Sequence, residues 1–278
     1  MPGPMDAQPE SFTHGHVMDG DGRIHFQCSQ DVLVWPWLAL PPCHPVVVQV
    51  ANYWISVECS TFRGTFDPTK WSALVWTEWH CGDEGAGHPV RGTMAPHGEE
   101  EKLGFAIELF DAQDRPAFAM KGRGVVFRTR NFEGWRGETK SKLARKDAAA
   151  GFTYASREAV GAGPREFAFL APIDTAATPS ARGLITAANG LPPAHPFISA
   201  SGDHVNAAHI AEAGRQFVAL LKDDPGVRIT AGEITFKHYV EIGVPFVVDL
   251  ETDSDNSAAM VLSQNDRECS KIRLEYAG

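Results

Sequence analysis

Asp203-His204-Val205-Asn206-Ala207-Ala208-His209-Ile210-Ala211-Glu212-Ala213-Gly214-Arg215-Gln216-Phe217-Val218-Ala219-Leu220-Leu221 is the stretch on which the fold turns. It reads as one helix. Good helix formers fill it and no proline interrupts it. Asp203 or Ser201 can cap its start, and Asp223-Asp224-Pro225-Gly226 ends it. Apolar or small residues cover most of its circumference, which predicts burial on several sides. Yet Glu212, Arg215 and Gln216 stand at its middle, where ionised groups are costly unless paired or open to a cavity. That combination predicts a site.

The flanks extend the reading. Arg182 to Asn189 and then His195-Pro196-Phe197-Ile198 read as a strand and a loop leading into the helix. Behind it, Val227 to Phe236, Phe246 to Thr252, Ala258 to Ser263 and Ile272 to Tyr276 read as strands separated by turn residues. One central helix wrapped by an antiparallel sheet is the hotdog arrangement.

The same residues carry a resemblance. Asp203-His204-Val205, Glu212-Ala213 and Arg215-Gln216, with His195-Pro196-Phe197 ahead of them, resemble the helix of the A-factor-synthase (AfsA-type) hotdog family over roughly residues 195–250. Phe236-Lys237-His238-Tyr239-Val240-Glu241-Ile242-Gly243 resembles the step that follows the helix in many hotdog proteins. The chain departs from the family at Asn206-Ala207, where the family has Pro-Gly, and its first half lacks the family's other E-x-x-R-Q segment. The resemblance implies transfer of a carrier-bound β-ketoacyl group to the hydroxyl of a small phosphorylated acceptor.

The rest of the chain sets limits. With 278 residues and 43% hydrophobic content it can bury one large core or two small ones. A formal charge of −10 with no basic stripe argues against nucleic-acid binding. No apolar run reaches membrane-spanning length and the N-terminus lacks a signal-peptide pattern, so a cytoplasmic protein is expected. Cys28, Cys43, Cys59, Cys81 and Cys269 are odd in number without CxxC spacing, and are read as reduced thiols. His14 and His16 in a Gly/Pro-rich arm are no metal site without further ligands, and no nucleotide loop or other metal spacing occurs, so no bound cofactor is implied.

The first half begins to look like the second. Asp31 to Leu40 reads as a strand. Cys43-His44-Pro45 opens Val46 to Phe62, whose length fits a second central helix, and Trp71 to Trp79, Phe105 to Phe110 and Ala117 to Arg128 read as strands. His-Pro, helix, then strands occurs twice, which predicts duplication: an α+β double hotdog. The expected organisation is a flexible arm at 1–22, hotdog domain 1 at 23–130, a linker at 131–164 and hotdog domain 2 at 165–278. The linker has room for one short surface helix and holds Lys140, Lys142, Arg145 and Lys146, a solvated face or a landing patch for an acidic acyl carrier protein or a phosphate-bearing substrate. A double form supplies its own pairing, so monomer and dimer both remain open.

Two chemistries compete for the same residues. For acyl transfer, Glu212 is the candidate base, Arg215 the clamp for a phosphate or carboxylate, and Gln216 the group orienting the thioester. For dehydration of a β-hydroxyacyl thioester, one base and one acid near neutrality are needed, and in hotdog dehydratases a loop histidine and a helix carboxylate supply them. His44 with Glu58 fourteen residues later, or with Asp203, His204 and Glu212 in the second half, are the candidates. Plainer readings stand beside these. Glu212 and Arg215 three apart can simply pair, Asp203 suits an N-cap, and His209 suits a hydrogen-bonded core histidine. The expected substrate is an acyl carrier protein with its phosphopantetheine arm, plus a small-molecule acceptor if transfer is the reaction. A carrier-acyl transferase is preferred slightly over a dehydratase, with a thioesterase and a non-catalytic acyl-binding module as further alternatives.

Overall fold

The computed structural model describes residues 11–67, 69–98, 104–127, 132–143, 151–163, 166–186, 188–189 and 204–277. Among the described residues, eleven strands form one antiparallel sheet: β1 Thr13–Met18, β2 Ile24–Cys28, β3 Ser72–Cys81, β4 Arg91–Pro96, β5 Gly104–Phe110, β6 Pro116–Val126, β7 Ser180–Gly183, β8 Arg228–Phe236, β9 Phe246–Asp253, β10 Ser257–Gln264 and β11 Arg267–Ala277. Their spatial order is β1-β2-β4-β5-β6-β3-β8-β11-β10-β9-β7. The first six come from the N-terminal half and the last five from the C-terminal half. The halves join where β3 pairs with β8, with Trp79 opposite Gly232.

Each half carries one buried helix. Helix α1, Pro45–Arg63, lies against β1, β4 and β6; helix α3, Ala207–Lys222, lies against β11; the two helices pack on each other. In α1 the β-branched run Val46-Val47-Val48 opposes helix propensity, but all three are buried, and tertiary packing overrides the local preference. Pro45 begins the helix where its missing N–H costs nothing, and Gly64 ends it in the left-handed region at φ 75°. In α3, Asn206 is the cap: its side chain accepts from the amides of Ala208 and His209. The strands alternate as half-buried sheets should, β10 placing Ala258, Met260, Leu262 and Gln264 inward. At the seam, a Cβ on Gly232 would meet the Trp79 ring at 2.3 Å, so only glycine lets that indole lie flat across β8.

Several expectations need correction. Residues 13–18, assigned to the flexible arm, form β1 paired with β2, and β4 had no counterpart in the sequence reading. Asp31 to Leu40, read as a strand, is a turn followed by a 3-10 helix, Pro36–Ala39. The Asp31 carboxylate accepts from the amides of Leu33 and Val34, and Pro36 seeds the tight helix. The linker contains helix α2, Phe132–Leu143, whose Arg136 is buried and forks onto Glu241. Asp203, Ser201 and His195 lie outside the described residues, as do Arg145 and Lys146. Finally, Cys43 and Cys81 form a disulfide rather than free thiols. Residues 38 apart in sequence meet because β3 ends beside the start of α1, a proximity that spacing alone does not reveal. Cys28, Cys59 and Cys269 remain thiols and are buried.

Candidate functional site

The polar centre of α3 faces the start of α1. His44 is the N-cap of α1, its Nδ1 accepting from the Val46 amide at 3.3 Å. That contact fixes the ring and turns Nε2 toward the second half. Nε2 lies 3.2 Å from Glu166 Oε1 and 3.6 Å from Glu212 Oε2. The three side chains are 10%, 18% and 4% exposed, so the cluster is largely withdrawn from water yet not sealed. The imidazole comes from one half and both carboxylates from the other.

Glu212 is held on all sides. Arg215 donates from Nε to Oε2 at 2.8 Å and from Nη2 to Oε1 at 2.6 Å, and Gln216 Nε2 donates to Oε1 at 2.9 Å. This is the bidentate fork that suits a buried carboxylate. Burial alone would lower the Arg215 pKa, but the Glu212 charge and hydrogen bonds outweigh it and raise it. Arg215 and Gln216 also reach outward. Arg215 Nη2 donates to the Val160 and Gly161 carbonyls, and Gln216 bridges the Phe167 carbonyl and the Phe169 amide, both at 2.8 Å. These bonds pin the segment carrying Glu166 against α3. Gly161, at φ 61°, takes the left-handed turn, and a Cβ there would strike the Pro225 carbonyl.

Glu166 differs from Glu212. Its Oε2 accepts from the Gly163 amide at 2.7 Å, while buried Oε1 has only the His44 contact. Burial works to raise its pKa; the His44 hydrogen bond and charge, the Gly163 amide and the Arg215 charge prevail and hold it below the usual glutamate value. Sequence reasoning missed this residue. It sits where the linker ends, between Arg165 and Phe167, and locally looks like a surface acid. Only the backbone pairing offered by Gln216 reveals its place.

The other candidates lie elsewhere. Glu58 is fourteen residues along α1 from His44, about 21 Å at helical rise. It accepts from the Phe12 and Thr13 amides and the Thr13 hydroxyl, tying β1 to α1. His209 completes the α3 capping box, its Nδ1 accepting from the Asn206 amide at 3.3 Å. His204 stacks edge-on against Tyr239, whose other neighbour is the Arg136 guanidinium. Arg215, the expected phosphate clamp, already spends Nε and Nη2 inside the protein, so that assignment does not fit its surroundings.

His44, Glu166 and Glu212 offer ligand atoms within 4.8 Å of one another, which is compact enough for a metal ion. The donor set argues otherwise: both Glu212 oxygens are filled by Arg215, and a cation there would face that guanidinium. The arrangement suits proton transfer better, with an imidazole and a carboxylate in contact and a second carboxylate fixed behind them.

No protein-family model and no curated protein matches this chain. Solved structures do. A variant of the PpsC dehydratase domain from Mycobacterium tuberculosis is 12% identical, with 96% of this chain and 98% of that one covered and a TM-score of 0.52. The dehydratase domain of RzxB from Pseudomonas fluorescens is similar at 12% identity, 96% and 98% coverage and a TM-score of 0.51. An acyl-ACP thioesterase from Bacteroides thetaiotaomicron is 9% identical over 84% and 89%, with a TM-score of 0.50. At such identities the likeness speaks to architecture, and together with the sheet and its helices it gives the hotdog fold.

Proposed function

We propose that the chain is a double hotdog enzyme that removes water from β-hydroxyacyl groups presented as thioesters on an acyl carrier protein. The observation that carries this reading is His44 Nε2 from one half standing 3.2 Å from Glu166 and 3.6 Å from Glu212 of the other. Elimination needs a base at the α-carbon and an acid at the β-hydroxyl. His44 and Glu166, in contact at 3.2 Å, form that pair and share one transferable proton. One partner takes the α-proton, the C–O bond breaks, and the proton held by the other leaves with the hydroxyl as water. The pair again holds one proton, and its transfer across the 3.2 Å contact resets the site. Glu212, Arg215 and Gln216 are positioning residues: they hold the Glu166 segment in register with His44.

Acyl transfer to a phosphorylated acceptor asks for a free cation, and Arg215 is engaged; that reading is therefore ranked second. The deciding experiment is mass spectrometry of carrier proteins loaded with β-hydroxyacyl or β-ketoacyl groups, with and without a small hydroxyl acceptor. Loss of one water from the β-hydroxyacyl carrier, abolished by His44→Ala, is expected. Acyl loss that requires the acceptor would replace dehydration by transfer, and acyl loss without it would make the enzyme a thioesterase.

A further inference from the structure

One buried polar group in α1 has no work in the mechanism above. Asn52 is satisfied: its Nδ2 donates to Thr77 Oγ1 on β3 at 3.1 Å. One turn earlier Gln49, only 3% exposed, has no hydrogen-bond partner for either Oε1 or Nε2. On β3 Trp79, fully buried, has none for Nε1. Two ties place them together. Cys43–Cys81 joins the start of α1 to the end of β3, and Asn52–Thr77 joins them further along. Gln49 lies between the two tie points on α1. Trp79 lies between them on β3, on the same face as Thr77 and Cys81 by the two-residue period. Its ring crosses the seam over Gly232 toward the second half.

Unpaired buried carboxamides are rare because they forfeit hydrogen bonds to water without replacement. This one sits five residues from His44, about 7.5 Å along the helix axis. Its helix neighbours Val48 and Val50 are buried apolar residues. Taken together, the pair offers two donors, Gln49 Nε2 and Trp79 Nε1, and one acceptor, Gln49 Oε1. A hydroxyl on a ligand can use all three, a carbonyl two, and a methylene none.

We infer that Gln49 and Trp79 form a polar subsite for the acyl chain, selecting chains with an oxygen function, best a hydroxyl, several carbons beyond the reacting β-carbon. This rests on the acyl-thioester reading above and narrows its substrate class to partially reduced, oxygen-bearing acyl chains instead of saturated fatty ones. Sites built to hydrogen-bond a substrate hydroxyl reject the analogue lacking it strongly, because the protein groups are then left unpaired.

The test uses the full chain and pairs of β-hydroxyacyl pantetheine thioesters of equal length, with a hydroxyl or a methylene at the distal position. Water loss is followed for wild type and Gln49→Leu. Wild type is expected to favour the hydroxylated chain in kcat/KM by on the order of tenfold or more, and Gln49→Leu to bring that ratio near one. Gln49→Leu should also melt higher than wild type, since it deletes an unpaired amide from an apolar site. Equal wild-type rates, or a preference that survives Gln49→Leu, would overturn the proposal. So would a common loss on both chains with the ratio intact, which marks a structural role or a buried water. If wild type removes water from neither chain, dehydration has failed while the subsite has not. Calorimetry with the corresponding pantetheine amides then decides: tighter binding of the hydroxylated amide, lost in Gln49→Leu, supports the subsite, and equal affinities reject it.

Discussion

The two helices that pack on each other, α1 from the N-terminal half and α3 from the C-terminal half, handle buried polarity in opposite ways. Helix α3 closes its account: Glu212, Arg215 and Gln216 bond one another, and Arg215 Nη2 and the Gln216 amide also bond backbone at Val160, Gly161, Phe167 and Phe169. Helix α1 leaves its account open: His44 Nε2 points across to the other half, and Gln49 has no partner. Groups already satisfied make rigid scaffolding, and groups left available make contacts with something else. In the dehydration reading proposed above, the polar signature that first marks α3 in the sequence is the framework of the site, and its working end comes from α1.

The largest expected effect comes from removing the open member. His44→Ala should reduce turnover of a β-hydroxyacyl carrier by roughly 10²–10⁴-fold, the usual range for an acid–base group, and should cost about 0.5–2 kcal/mol of stability through loss of the α1 cap. Glu166→Gln should fall in the same range, since it blocks the internal proton transfer. Steady-state rates measured by product mass spectrometry check both. Undiminished turnover in Glu166→Gln would return the carboxylate role to Glu212 and erase the contrast between the helices.

Breaking the closed account should cost stability first. Arg215→Met leaves Glu212 buried without its counter-charge, a loss of about 3–5 kcal/mol. The double variant Glu212→Leu with Arg215→Met should recover much of it, because apolar residues of similar volume often replace a buried pair at little cost. Urea midpoints of the single and double variants provide the comparison. If the single variant unfolds with the wild type, the network is not structural and Arg215 is released for a ligand role.

A third effect lies at the junction of the helices with the sheet. The Cys43–Cys81 bond, a sequence separation of 38, closes a loop that contains His44 and the whole of α1. By chain entropy its removal in Cys81→Ser costs up to about 4 kcal/mol. Because Cys43 adjoins the α1 cap, turnover should fall as well, and reduction of wild type with dithiothreitol should reproduce both changes. A reductant-insensitive wild type with full activity would show that the cap holds His44 unaided.

How much of this was readable beforehand follows the same division. The second half was legible nearly strand by strand, because its elements alternate cleanly and α3 carries an unmistakable apolar circumference. The first half was harder. β1 and β2 are short, the valines of α1 imitate a strand, and Asp31 with Pro36 turn an apolar run into a 3-10 helix. Within the site, His44 and Glu212 were visible as residue types but their meeting was not, since it depends on how two helices from separate halves cross. Glu166 was invisible, because its role is set by hydrogen bonds that Gln216 makes to backbone 47 and 49 residues away in sequence. Arg215 carried two readings in the sequence, because a guanidinium at a buried helix centre suits its own carboxylate three residues back as well as a phosphate; the structure pairs it with Glu212.

The smallest effect, and the one that tests α1 alone, concerns Glu58 at the helix's far end. Burial raises its pKa above 4.5 although the Thr13 hydroxyl and the amides of Thr13 and Phe12 pull it down. A carboxyl raised in the folded state contributes stability that is present in full below the unfolded value and is lost as pH rises through the folded one. Wild type should therefore lose stability as pH climbs from about 4.5 toward that raised value. Glu166, whose pKa is depressed, acts in the opposite window: its contribution is present above 4.5 and is lost only as pH falls below it. Glu58→Gln has no charge to bury and one acceptor fewer for β1, so it should be less stable by about 0.5–1.5 kcal/mol at low pH. The gap should narrow as pH rises, His14 and His16 being common to both proteins. Melting temperatures of the two across pH 4 to 8 should converge; parallel curves would mean that Glu58 ties β1 to α1 without titrating, and α1 would then be open only at its His44 end.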